Sequence, residues 1–236
     1  MAIAPDHTFQ LYTCRNSKLV RNLGWLQPFA EDLWNRLVVS CADDGIEGRP
    51  RRIGVVGVYE GDGSTTVAAG LAFYLAESLG LRVCVIEVDL RSPSVQADGM
   101  APSGSIGLKG FLSGECGIDE VIFHVDPLGV HVLPAGPEVT SPSALLDAKA
   151  IGSTLQAVER LFDVVIVNAP ALNVAPEDRA ILAATQANVL LLRSGRALPA
   201  QAAYWIGKLE EYGAKVGAIC LNGVKFGLPS ALRRLL

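Results

Sequence analysis

The sequence predicts a doubly wound α/β protein built on a mostly parallel sheet. Six short apolar runs rich in β-branched residues recur along the chain, and longer segments of helical spacing separate them. Runs that stay apolar throughout, rather than alternating, belong to strands covered on both faces, the condition of a parallel sheet. With 236 residues, half of them hydrophobic, the chain suffices for one such core and one site.

Residues 1–28 show no sustained period and read as an N-terminal arm, with residues 29–236 forming the α/β domain. The stretch PFAEDLWNRLVVSC, from Pro28, sets Phe29, Leu33, Leu37 and Val38 near helical spacing, and ADDGIEGRPRR then breaks it. Strands are expected at IGVVGV (from Ile53), RVCVIEV (from Arg82), VHVLPA (from Val130), DVVIVNA (from Asp163), NVLLLR (from Asn188) and VGAICLN (from Val216). Helices are expected in TTVAAGLAFYLAESLG, SALLDAKAIGSTLQAVERLF, PEDRAILAATQ and AQAAYWIGKLEEYG between them. Ligands of such sheets bind beyond the carboxyl ends of the strands, so functional residues are sought there.

Composition narrows the function. The net charge is −4, from 20 basic and 24 acidic residues with no Lys/Arg-rich block, which argues against nucleic acid as a partner. Five scattered cysteines lack the spacing of a metal or redox motif and read as reduced thiols of a cytoplasmic protein, with Cys84 and Cys220 as core fillers. No apolar stretch approaches the ~18 residues of a membrane span. His7, His124 and His131 lie far apart in sequence and read as ordinary surface or core histidines.

The first strand runs into GVYEGDGSTT and then a helical pattern. Glycines let backbone N–H groups approach a phosphate, and a helix start adds its positive end, so Gly61, Asp62, Gly63, Ser64, Thr65 and Thr66 form a candidate phosphate cradle. Two readings compete. In a dinucleotide site, Gly61-x-Gly63 would open GxGxxG with Glu87 on the ribose, but Thr66 occupies the third glycine position. In a phosphate loop, Gly63-Ser64-Thr65-Thr66 follows G-K-[ST]-T with serine at the lysine.

Six ordered segments resemble the bacterial tyrosine kinases of polysaccharide export and their relatives, the partitioning and septum-placement ATPases. VYEGDGSTTVAAGLA, from Val58, aligns without a gap with their ATPGEGKSTTAANLA, and CVIEVDLRSPS, from Cys84, with LLIDADLRRPS. GLKGFLSG, VLPAGPEVTSPSALLDA and FDVVIVNAPAL follow in the family's order, and GAICLN, ending at Asn222, resembles the segment that contacts the base. The likeness runs from about Glu31 to about Val224 and implies a P-loop NTPase-like fold. It further implies ATP or ADP with Mg²⁺ as cofactor, Thr65 and Asp89 as metal-binding residues, and Glu87 and Asp89 as catalytic candidates. Asn168 and Asn222 join the cradle as nucleotide-binding candidates.

The departures fall on charged positions. Ser64 stands at the family's lysine, Asn168 at the aspartate of the third motif, and Glu87 at the first aspartate of DxD. Weak or absent nucleotide binding and turnover are therefore expected, unless a basic residue such as Arg91 compensates. Tyr59 is read as a cover over the site and Asp62 as a solvated turn residue. The family's oligomerisation helix carries E-x-x-R-x-x-R, where this chain has Glu31, Trp34 and Leu37, so those two apolar residues either face another surface or dock the helix on its own domain. No tyrosine follows Tyr212, so the family's acceptor cluster, and autophosphorylation on it, are not expected here. The resemblance implies a cytoplasmic regulator or scaffold, peripheral at the inner membrane through the cytoplasmic end of a polysaccharide co-polymerase or chain-length regulator. A homo-oligomer is a further expectation.

Overall fold

In the computed structural model the described residues are 9–13, 20–43, 45, 48–95, 98–142, 145–174, 179–196 and 198–224. His7, Cys14 and the terminal stretch 225–236 lie outside them. The elements are β1 (Gln10–Thr13), α1 (Gln27–Asp43), β2 (Arg52–Gly57), α2 (Ser64–Glu77), β3 (Val83–Glu87), α3 (Gly107–Leu112) and β4 (Phe123–Asp126). They continue with β5 (Val130–Leu133), α4 (Ala148–Glu159), β6 (Val164–Asn168), α5 (Arg179–Ala183), β7 (Ala187–Arg193), α6 (Pro199–Glu211) and β8 (Val216–Asn222).

The strands form one sheet in the order β1-β4-β5-β3-β6-β2-β7-β8. All neighbours are parallel except β4 and β5, whose tight connection permits only the antiparallel pairing. All six expected strands are present. Two more were not foreseen. One of them, β1, lies in the stretch read as an arm and pairs with β4, Gln10 opposite Phe123, at the edge of the sheet.

Successive residues of the central strands are buried on opposite faces. Ile53, Val55, Val83, Val85, Val164 and Ile166 join one core with α1 and α2. Val56, Cys84, Ile86, Val165 and Val167 join the other with Ile151, Leu155, Ile181 and Leu209 from α4, α5 and α6. This two-sided burial explains why the strands read as continuous apolar runs.

Helix α1 buries Ala30, Leu33, Trp34, Leu37 and Cys41, the stripe of a helix packed along one face. Trp34 and Leu37 are 6% and 0% exposed within the chain's own core, so the alternative that they face another surface is corrected. Fully burying such a side chain stabilises the fold by about 1.5–3 kcal/mol. Helix α4 starts later than the sequence suggests, at Ala148, because the Asp147 side chain accepts the Ala150 N–H at 2.6 Å and caps it. Cys84 and Cys220 are buried, and burial pushes the Cys220 thiol up to about 11.

Candidate functional site

The register of the sheet assembles the site. Asn168, the last residue of β6, is level with Glu87 at the end of β3 and with Val55 in β2. Beyond β2, the chain turns through Gly61 (φ +78°) and Gly63 (φ +101°) into α2. A β-carbon on Gly63 would overlap Asn222 Nδ2, so both the dihedral and the space require glycine there. Val67 N–H is bonded back to Gly63 O at 3.0 Å, so the amides of Ser64, Thr65 and Thr66 precede that first turn's bond.

These elements enclose a cleft of about 200 Å³ whose walls include Gly61, Ser64, Thr65, Asp89, Ser94 and Asn168. Its floor is a chain of hydrogen bonds. Asn168 Nδ2 donates to Thr65 Oγ1 at 3.2 Å, the Thr65 and Ser94 hydroxyls are 2.8 Å apart, and Ser94 Oγ donates to Glu87 Oε1 at 2.8 Å. With Glu87 as carboxylate the sense is fixed, each hydroxyl accepting from one neighbour and donating to the next. Asn168 is 3% exposed and its Oδ1 has no hydrogen-bond partner. A buried acceptor without a donor is costly, and this one, in the wall of the cleft, points to a ligand that supplies the donor.

Glu87 is fully buried. Its carboxylate accepts from Ser94 N at 2.5 Å, Val95 N at 2.8 Å and Ala135 N at 3.3 Å besides the Ser94 hydroxyl. Burial holds its carboxyl above the usual range, against the opposing effect of these bonds. Its oxygens anchor the loop after β3. Asp89 Oδ1 caps that loop by accepting from Arg91 N at 3.1 Å and Ser92 N at 3.0 Å, and burial likewise raises its pKa.

Asp62, expected to be a solvated turn residue, is 1% exposed. Its Oδ2 accepts the Tyr59 N–H at 2.9 Å while Oδ1 is buried without a partner, because the carboxylate folds under the loop to close it from inside. Tyr59 forms part of the cleft wall, and its hydroxyl accepts from Gln201 Nε2 at 3.0 Å, which ties the loop to the start of α6. Asn222 donates to Asp62 O at 2.9 Å, behind the loop. His124 and His131, only seven residues apart, are cross-strand partners of the β4–β5 pair with ring nitrogens 3.3 Å apart, in a cluster with Phe9 and Phe162, which corrects the expectation that they have no partner spacing.

Five sequence candidates, Gly61, Ser64, Thr65, Asp89 and Asn168, thus share the cleft, whereas Asp62, Gly63 and Asn222 shape the loop from beneath and behind. Ser94, Arg193 and Arg196 were missed. Arg193 and Arg196 sit at and just after the carboxyl end of β7 and hold the loop by donating to Gly61 O at 3.2 Å and Glu60 O at 2.9 Å, but a basic residue after a strand carries no motif of its own.

As a cation site the cluster is poor in charge: Asn168 brings a neutral amide, and Glu87 is committed to four donors. Hard divalent cations favour carboxylate oxygens. Among the described residues no group of three His, Cys, Asp or Glu side chains could hold a metal. Thr65 Oγ1 and the second oxygen of Asp89 are what this chain offers.

No protein-family model matches the chain. In sequence it is similar to the tyrosine-protein kinase CpsD of Streptococcus agalactiae, at 27% identity over 195 residues that span 82% of this chain and 83% of CpsD. The tyrosine-protein kinase YwqD of Bacillus subtilis is 26% identical over 165 residues, 70% of this chain and 69% of YwqD. In structure the kinase domain of the Escherichia coli tyrosine kinase ETK superimposes with a TM-score of 0.70 at 25% identity, covering 76% of this chain and 70% of that domain. The chain is a relative of the bacterial tyrosine kinases. The fold of this kinase relative extends to the septum site-determining protein MinD of Pyrococcus horikoshii, solved with Mg-ADP, at a TM-score of 0.60 and 17% identity over 78% of this chain and 76% of that one. That likeness is one of fold alone. The sheet is mostly parallel and P-loop NTPase-like, as the sequence predicts. No helix among the described residues is long and apolar enough to cross a membrane.

Proposed function

We propose that this kinase relative binds ATP or ADP in the cleft at the start of α2 and turns it over weakly or not at all. On this reading it acts as a regulator or scaffold of polysaccharide synthesis and export at the cytoplasmic end of a membrane co-polymerase. The observation that carries the reading is the pairing of a preserved cradle with neutral side chains at its two decisive positions. Gly61, Gly63 and Thr65 keep the loop's shape, while Ser64 and Asn168 supply hydroxyl and amide where the resembled family has lysine and aspartate. A lysine at the loop acts most strongly as charge develops during phosphoryl transfer, so its absence lowers rate more than binding. Thr65 and Asp89 would hold Mg²⁺ weakly, and the metal when bound would screen the phosphate charge. The partner and the peripheral membrane location rest on the family resemblance.

The test is incubation of the purified protein with ATP and Mg²⁺, measuring phosphate release and phosphotyrosine alongside calorimetric titration with ADP. Binding without turnover is expected; turnover at the rate of an active kinase would overturn the weakened-enzyme part. A second reading, an active enzyme with a compensating base, named Arg91 from sequence. Arg91 gives its backbone N–H to Asp89, whereas Arg193 and Arg196 donate to the loop carbonyls of Gly61 and Glu60.

A further inference from the structure

Beyond the hydrogen-bonded cluster, the wall of the cleft carries a carboxylate from the loop itself, Glu60. The family's aligned loop has proline at this position, ATPGEGKS against VYEGDGST here. Among the described residues that line the cleft, Glu60 and Asp89 are the charged ones, and no Lys or Arg joins them. The two carboxylates are near enough for the charge of Glu60 to act on Asp89. Arg91 acts on Asp89 with the opposite sign but is not part of the wall. Glu60 is exposed to solvent while its backbone is held in place, the carbonyl accepting from Arg196 Nη1 at 2.9 Å.

Two negative charges in about 200 Å³ repel a polyphosphate as well as each other, and with serine at 64 the loop brings no lysine to offset them. A divalent cation resolves that conflict. Mg²⁺ is commonly bound through one or two carboxylates, the phosphates of the ligand and several retained waters, so a third acidic side chain is not required. Asn168, 3% exposed and with Oδ1 unpartnered in the same wall, can receive a hydrogen from one of those waters. Resting on the nucleotide reading above, we propose that Glu60 and Asp89 together hold the divalent cation that accompanies the phosphates, Glu60 supplying the carboxylate absent at Asn168. The ligand class is a metal-complexed di- or triphosphate, and the metal-free form is disfavoured.

The test is calorimetric titration with ADP, in EDTA and in saturating Mg²⁺, on the unsubstituted protein, Glu60→Gln, Asp89→Asn and, as a control at the far end of α2, Glu77→Gln. Mg²⁺ should strengthen ADP binding about tenfold in the unsubstituted protein and in Glu77→Gln, as expected of one charge-assisted contact. Glu60→Gln and Asp89→Asn should each lose most of that gain. In EDTA, Glu60→Gln should bind ADP more tightly than the unsubstituted protein, because one repelling charge is gone. If ADP binds and Mg²⁺ gives no gain, or gives Glu60→Gln the full gain, this assignment is overturned while the nucleotide reading stands. If Glu60→Gln is folded by circular dichroism yet weakens ADP equally in both buffers, Glu60 only shapes the loop and the assignment is again overturned. A protein that binds ADP in neither buffer overturns the nucleotide reading and this one together.

Discussion

The Asn168 amide donates to the Thr65 hydroxyl at 3.2 Å, joining the end of β6 to the first turn of α2. An aspartate at 168 has no proton to give and would draw the Thr65 hydroxyl toward itself, away from Ser94. Alone it breaks the chain of bonds that ends on Glu87; with a lysine at 64 the two new charges find counterparts. We expect Ser64→Lys/Asn168→Asp to raise Mg·ATP affinity by more than tenfold, equivalent to roughly 1.5–3 kcal/mol of charge-assisted bonding, and each single change to help less. Calorimetry on the three variants checks this, and a double variant that folds yet binds no better would sink the decayed phosphate-loop reading.

Glu87 should matter more to stability than to binding. Glu87→Ala leaves the N–H groups of Ser94, Val95 and Ala135 without their acceptor, so a loss of about 3 kcal/mol is expected in urea unfolding. Because burial raises this carboxyl in the fold, the folded state holds its proton to higher pH than the unfolded chain. Its contribution is therefore largest in acid and falls as pH rises through the folded value. The stability gap between the unsubstituted protein and Glu87→Gln should narrow between acid and neutral pH.

His131 gives the opposite sign. Burial, aided by His124, lowers its pKa from the ordinary 6.5 to about 4, so between those values the unfolded chain binds a proton that the fold refuses. Stability is fully present above pH 6.5 and is lost as pH falls toward 4. Partial solvent screening holds the loss near 2 kcal/mol. His131→Phe, which suits a cluster already holding Phe9 and Phe162, should remove this slope in denaturant titrations run across that window.

At the loop itself, Gly63→Ala meets a positive φ of 101° and the Asn222 amide together. A cost of about 1–2 kcal/mol from the left-handed conformation alone is expected, with loss of ADP binding because the amides before α2 are displaced. Adding Asn222→Ala removes the clash but not the dihedral, so thermal stability should recover only in part.

The central strands were legible because their two faces are both buried, which writes itself into the sequence as unbroken apolar runs. Gln10–Thr13 and Phe123–Asp126 were not, since four residues at or near a sheet edge are too few to establish a period. Within the site, the glycine loop and Asn168 could be located by pattern, but the environment of a side chain could not. Asp62 looks like any polar turn residue until the loop folds over it, and Glu87 looks catalytic until Ser94, Val95 and Ala135 surround its oxygens. The His124–His131 contact depends on a two-strand register that sequence spacing does not reveal.

Strand β1 has a consequence for the order in which the molecule comes apart. Its hydrogen bonds reach across to residues 123–126, and among the described residues no strand follows on its other side, so releasing it exposes one edge without touching the other seven strands described. Opening it costs a fraction of the global unfolding free energy. The amides that join Gln10–Thr13 to β4 should therefore exchange with solvent deuterium far sooner than those of β2, β3 and β6. Protection factors would rank the sheet from this margin inward, with the strands that carry the phosphate loop and Asn168 the last to yield.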